Sequence, residues 1–105
     1  LQAHARAWGI RRGQPVVVYD HDRGLVAARG WWVLRWAGIA DVRLLDGGFA
    51  AYVAAGLPVS HEHPVPEPGD VTLAAGHLPV LDADGAAALA RSGVLLDSRI
   101  RPNYV

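Results

Sequence analysis

Asp20 stands where an α/β chain places its chemistry. It closes the apolar run Val16-Val17-Val18-Tyr19, and after it come a short polar loop, His21-Asp22-Arg23-Gly24, and the helix-like stretch Leu25 to Ala37. A strand that turns through a short loop into a helix aims backbone N–H groups and a helix N-terminus at the side chain on the strand's end. Such a cradle holds an anion or a thiolate. Here the position is a carboxylate, and the chain contains no cysteine. By residue type Asp20 accepts loop N–H bonds and caps the helix; a direct catalytic part is the alternative. His21, Asp22 and Arg23 have the composition of a solvated turn.

The other clusters are weaker. His61 and His63 flank Glu62 and share one face of an extended segment, but two histidines in a proline-rich stretch fall short of a metal ligand set, and no metal or cofactor is expected. Trp31, Trp32 and Trp36 lie on a helix that is apolar nearly all round, which is the pattern of core and interface packing. Gly47-Gly48 lacks the surrounding glycines and the Lys-Ser or Lys-Thr of a phosphate loop.

The elements that must position Asp20 follow from periodicity and punctuation. Gln2 to Trp8 is a short helix closed by Gly9, and Arg11 to Pro15 is a polar turn into the sheet. Val16 to Tyr19 is continuously apolar, the pattern of a strand buried on both faces. Leu25 to Ala37 is the next helix, with Gly38 at its C-terminal cap, and Asp41 to Leu45 is a second strand. The strands start roughly 25 residues apart, the spacing of a parallel pair joined by a helical crossover. Asp46-Gly47-Gly48 turns the chain into a third helix from Phe49 to Ala55. The composition then changes. Pro58, Pro64, Pro66, Pro68 and Pro79 mark an extended, helix-poor stretch with at most one short strand, Val71 to Ala74. Beyond it Asp82 or Asp84 caps a helix to Arg91, and Val94-Leu95-Leu96 is a buried strand ending in Asp97.

Bulk composition sets limits. The 105 residues are 51% hydrophobic and 19% charged, a globular profile. Ten basic residues balance ten acidic ones, so no net field recruits nucleic acid or an anionic membrane. No apolar run approaches the roughly 20 residues that span a bilayer. A cytoplasmic location is the default expectation. Leu1-Gln2-Ala3-His4 has neither an initiator Met nor a signal-peptide pattern, and the chain reads as a fragment of a longer protein.

Three blocks carry a resemblance: Pro15 to Asp20, Ala27-Ala28-Arg29-Gly30-Trp31-Trp32-Val33-Leu34-Arg35, and Asp41-Val42-Arg43-Leu44-Leu45-Asp46-Gly47-Gly48-Phe49. In order and spacing they resemble the amino-terminal half of tandem rhodanese-type sulfurtransferases, and Leu95-Leu96-Asp97-Ser98-Arg99 resembles an early strand of the second domain. The resemblance implies an α/β rhodanese-like fold, a parallel sheet flanked by helices, incomplete in this segment. Residues 1–58 would be the C-terminal part of the first, non-catalytic domain, 59–80 a proline-rich interdomain linker, and 81–105 the start of the second domain.

The activity so implied moves sulfane sulfur from thiosulfate or 3-mercaptopyruvate to a thiophile such as cyanide, through a persulfide on a second-domain cysteine. Partners would be a small anionic sulfur donor, a thiophilic acceptor and the second rhodanese domain of the same parent chain. The first domain's matching loop typically holds Asp, as Asp20 does here, and this segment then scaffolds the catalytic domain. Arg23 is a candidate wall of the active cleft. Asp97 and Arg99 match an Asp-x-Arg pair that braces the catalytic loop. Many relatives carry a substrate-contacting Arg where this chain has Asn103; Arg101 is the candidate substitute. A catalytically inactive protein-binding or regulatory module is the competing reading. The fold likeness to phosphatases with a Cys-loop-Arg cradle is excluded as an activity by Asp20 and the missing cysteine.

Overall fold

The computed structural model describes residues 1–99 and 101–103. The chain opens with helix α1, Gln2–Ala7, an alanine-rich turn and a half whose Ala5 is fully buried. It stops at Gly9, where φ of +79° lets the N–H fold back onto the Arg6 carbonyl at 2.9 Å. Strand β1, Val16–Val18, and strand β2, Val42–Leu44, form a two-stranded parallel sheet in the register Val16–Val42, Val17–Arg43, Val18–Leu44. Helix α2, Leu25–Trp36, is the crossover that a parallel pair requires.

One stripe of α2 faces the sheet. Ala27 and Leu34 are buried, and Trp31, at the helical spacing between them, is half-buried with its indole N–H donating to the Val42 carbonyl at 2.8 Å. The bond satisfies the polar end of a large apolar side chain and fixes the helix against β2. Leu34, Ile39 and Val42 meet Ala5 from α1 and Val71 from the proline-rich stretch to form the core, with Ile10, Val16, Val18 and Leu73 packed around it. Past Trp36 the chain turns at Gly38, φ +100°, and the Ile39 N–H reaches back to Leu34 at 3.0 Å. Helix α3, Gly48–Ala54, follows β2 directly. Helix α4, Ala83–Ser92, begins at Asp82, whose carboxylate accepts the Gly85 N–H at 2.8 Å. A 3-10 turn, Arg101–Asn103, follows. No helix among the described residues is long and apolar enough to cross a membrane.

Three local expectations are corrected. Strand β1 is half-buried on one face only, through Val16 and Val18, while Val17 is 54% exposed and Tyr19 just after the strand 55%, because no described element covers the second face. Val71 to Ala74 is not a strand: the Val71 N–H goes to the Ile10 carbonyl in the loop after α1, that of Leu73 to the Gln2 side chain in α1 and that of Ala74 to the Ala37 carbonyl at the end of α2, so no ladder forms. Val94 to Leu96 also lacks a ladder and is largely exposed, since a strand exists only against a partner and none stands beside it among the described residues. No residue of α4 is buried.

A two-stranded sheet with one bare face and free edges is a template for further pairing. The 105 residues alone are therefore expected to self-associate or to melt without a cooperative transition. Light scattering coupled to gel filtration checks this, and a monodisperse monomer with a sharp melt would contradict it.

Candidate functional site

Asp20 collects four backbone N–H groups. Oδ1 accepts from Asp22 at 2.9 Å and Gly24 at 2.8 Å; Oδ2 accepts from Val26 at 2.9 Å and Ala27 at 2.8 Å. The last two are the second and third residues of α2, whose first-turn donors have no partner within the helix. The cap residue itself is Gly24, which has no side chain to serve them. Asp20 takes over that duty from four residues upstream. Convergence requires a sharp loop, and Arg23 (φ +55°) and Gly24 (φ +87°) both adopt left-handed backbone. Arg23 is the one non-glycine residue with positive φ among the described residues.

The arrangement favours the ionised carboxylate. The N–H groups of Ala27 and Gly24, then those of Asp22 and Val26, hold its pKa below the ordinary value, against a partial desolvation that pushes the other way. Each oxygen accepts two N–H groups of the loop and the first turn of α2.

A second connection bolts the loop in place. The Asp20 carbonyl accepts the Phe49 N–H at 3.1 Å, from the first turn of α3. Gly48 sits buried beneath it at φ +61°, where a β-carbon would lie 2.8 Å from that carbonyl oxygen. Phe49 then spreads over the loop, 6.1 Å from the Tyr19 ring and 4.6 Å from the imidazole of His21. On its far side it stacks with Tyr52 at 6.5 Å, and an open apolar groove of about 530 Å³ runs along Tyr19, Phe49, Tyr52 and Val59. The Gly47-Gly48 pair signalled a turn in the sequence; that its second glycine locks the Asp20 loop was not legible, although two adjacent glycines ahead of an aromatic residue were the available clue.

The remaining candidates fall elsewhere. Arg23 stands exposed on the tip of the Asp20 loop. Asp97 and Arg99 form a close pair: the Arg99 guanidinium and backbone N–H both donate to the carboxylate, with Nη2 to Oδ2 at 2.5 Å. The pairing holds the Asp97 carboxyl below its usual range and raises Arg99. No hydrogen bond or ion pair joins this pair to the Asp20 loop among the described residues. Arg101 opens the 3-10 turn, and its side chain lies outside the described part of the structure. His61 and His63 are exposed, and the described residues contain no cluster able to hold a metal ion.

The model of the rhodanese-like domain matches residues 1–55, the stretch that contains β1, the Asp20 loop, α2 and β2. The chain belongs to the rhodanese-like family. Two bacterial relatives align with 99% of it: a Pseudomonas aeruginosa protein, provisionally named 3-mercaptopyruvate sulfurtransferase, at 42% identity, and a Mycobacterium tuberculosis protein, provisionally named thiosulfate sulfurtransferase, at 46%. The 3-mercaptopyruvate sulfurtransferase of Rattus norvegicus is 39% identical over 64% of the chain, which covers 23% of that protein. The chain spans 38% of the length of the two bacterial relatives. In this rhodanese-like segment the cradle is occupied by its own carboxylate.

Two consequences are testable. Gly48→Ala is expected to destabilise by at least about 1–2 kcal/mol, from the left-handed φ alone, with the overlap on the Asp20 carbonyl added; chemical denaturation measures it. Because Asp20 is depressed in the folded state, its contribution is full above the unfolded carboxyl pKa of about 3.9 and is lost as pH falls through the lower folded value. Acid titration of wild type against Asp20→Asn should show the wild type losing its advantage in that acid window, and parallel curves would remove the role assigned to the carboxylate.

Proposed function

We propose that this chain is the non-catalytic front portion of a rhodanese-type sulfurtransferase, and that it scaffolds a catalytic domain whose cysteine lies outside these residues. The observation that carries the reading is the Asp20 cradle. Four N–H groups converge where a thiolate would be stabilised, and the group they hold is a carboxylate with both oxygens occupied. The relatives' names, which speak of thiosulfate and of 3-mercaptopyruvate, support the class of reaction.

In the proposed cycle a cysteine thiolate attacks the outer sulfur of the donor. The sulfur-sulfur bond of thiosulfate breaks, sulfite leaves with the electron pair, and a persulfide remains; with 3-mercaptopyruvate the carbon-sulfur bond breaks and the electron pair leaves on the enolate of pyruvate, which takes up a proton to give pyruvate. A thiophile such as cyanide then attacks the persulfide's outer sulfur and leaves as thiocyanate, returning the thiolate. Helix N-termini and backbone N–H donors lower a thiol's pKa and so supply the attacking form. The present chain contributes none of the covalent steps. Its Asp97–Arg99 pair commits the guanidinium to an internal carboxylate, which suits bracing a loop better than seizing an anionic donor. Asn103 in place of the more usual Arg makes thiosulfate affinity the property most open to change, with Arg101 as the nearest other cation in sequence.

Denaturing mass spectrometry before and after incubation with thiosulfate or 3-mercaptopyruvate tests the reading. The 105 residues are expected to gain no sulfur, and the longer protein one cyanide-removable sulfur. A longer protein that also gains none would favour the inactive binding module. Asp20→Cys provides a second test: a thiol in this cradle should titrate below the ordinary value of about 8.5, as followed by the pH dependence of alkylation. An unshifted thiol would sink the claim that the first domain retains a thiolate-type cradle.

A further inference from the structure

The proline-rich stretch between α3 and α4 has the composition of a tether, yet its second half is bonded to the body of the protein. The Gly69 N–H donates to the Arg6 carbonyl at 2.7 Å, and the Arg6 Nε donates to the Val71 carbonyl at 2.8 Å. The Asp70 carboxylate accepts the Arg12 N–H at 2.8 Å, and Gln2 Oε1 accepts the Leu73 N–H at 2.9 Å. The Ala74 and His77 N–H groups then end the run on the carbonyls of Ala37 and Trp36, each at 3.0 Å. Val71 is 6% exposed, a member of the core. Gly69 explains how two backbones approach so closely: a β-carbon there would overlap the main chain of Ile10.

The flanks differ. Residues 59–65 make no backbone hydrogen bond to the body, and Val65 is 93% exposed. Residues 78–81 make none either, with Val80 at 63% and Leu81 at 56%.

We infer that residues 66–77 are a fixed strap belonging to the first unit, and that the chain passes to α4 through a pivot confined to residues 78–81. The magnitude matters. A flexible tether over 59–80 would have a root-mean-square span of roughly 26 Å, whereas four residues reach at most about 14 Å. Whatever follows α4 is therefore held on a short leash anchored at the C-terminal end of α2, the end away from Asp20. Any approach to the Asp20 loop has to be made by reorienting at the pivot rather than by wandering on a long linker. The inference rests on the hydrogen bonds and the glycine contact, and stands whether or not the sulfurtransferase reading holds.

Amide hydrogen exchange read by peptide mass spectrometry tests it on the native chain. Peptides covering 66–77 should exchange at least about tenfold more slowly than those covering 59–65 and 78–81. Equal rates would overturn the strap. Gly69→Ala should release it and raise exchange across 66–77. If that variant fails to fold, Gln2→Ala, which removes the acceptor for Leu73, should still raise exchange around Leu73 while leaving β1 and α2 unchanged; no change there would overturn the docking. Limited proteolysis then addresses the pivot. After a nick within 59–65 the two pieces should co-elute in gel filtration, and their separation would refute the strap. After a nick within 78–81, exchange across 66–77 should stay slow, and its acceleration would refute a strap that ends before the pivot.

Discussion

The structure depends on one carboxylate receiving four backbone N–H groups. A helix that starts at a glycine has no side chain of its own at the cap, and its first-turn donors would otherwise turn to water. By reaching those donors and the loop at once, Asp20 closes strand, loop and helix into a single unit. The left-handed backbone at Arg23 and Gly24 is the conformational cost of bringing the donors together, and it is sustained because the carboxylate satisfies the loop that adopts it. The next helix adds its own constraint through Gly48 and the Phe49 N–H, so the loop is held from both of its neighbours.

The chemistry follows from what fills the cradle. Converging N–H groups stabilise whichever anion the chain supplies, and they act on a thiolate or a carboxylate by the same electrostatics. What separates the two is reactivity. A thiolate keeps polarizable lone pairs for attack on sulfur, whereas both oxygens of Asp20 are spent on the loop. On the proposed reading, a domain with a carboxylate in this cradle keeps the architecture of a reactive centre without being one. For a member of the rhodanese-like family that spans 38% of the length of its bacterial relatives, this is the physical basis of the proposal that it acts as a scaffold.

The proline-rich stretch shows how composition can mislead about mechanical role. Proline and glycine there look like the ingredients of a loose connector, and in residues 59–65 nothing contradicts that. From Pro66 onward the same residue types serve close packing: Gly69 is there because no side chain fits against Ile10, and Asp70 because an N–H at Arg12 needs an acceptor. Flexibility and intimate contact call on the same small residues, and only the neighbours tell them apart.

The division between sequence and tertiary structure runs along contact range. Local rules determined the order of the helices and of the first two strands, the turn at Gly47-Gly48, a helix cap at Asp82 or Asp84 and the presence of an acid where a thiolate could sit, because capping, left-handed turns and helical periodicity are settled within a few residues. Even the four bonds to the Asp20 carboxylate span no more than seven positions. Partners far along the chain settled the rest. Gln2 meets Leu73 across 71 positions and Arg6 meets Val71 across 65. No periodicity announces such pairs, since they exist only after α1 has packed against the sheet. The same reason explains Val94 to Leu96, whose apolar run states a strand's preference while the strand itself requires a neighbour that the described chain does not place beside it.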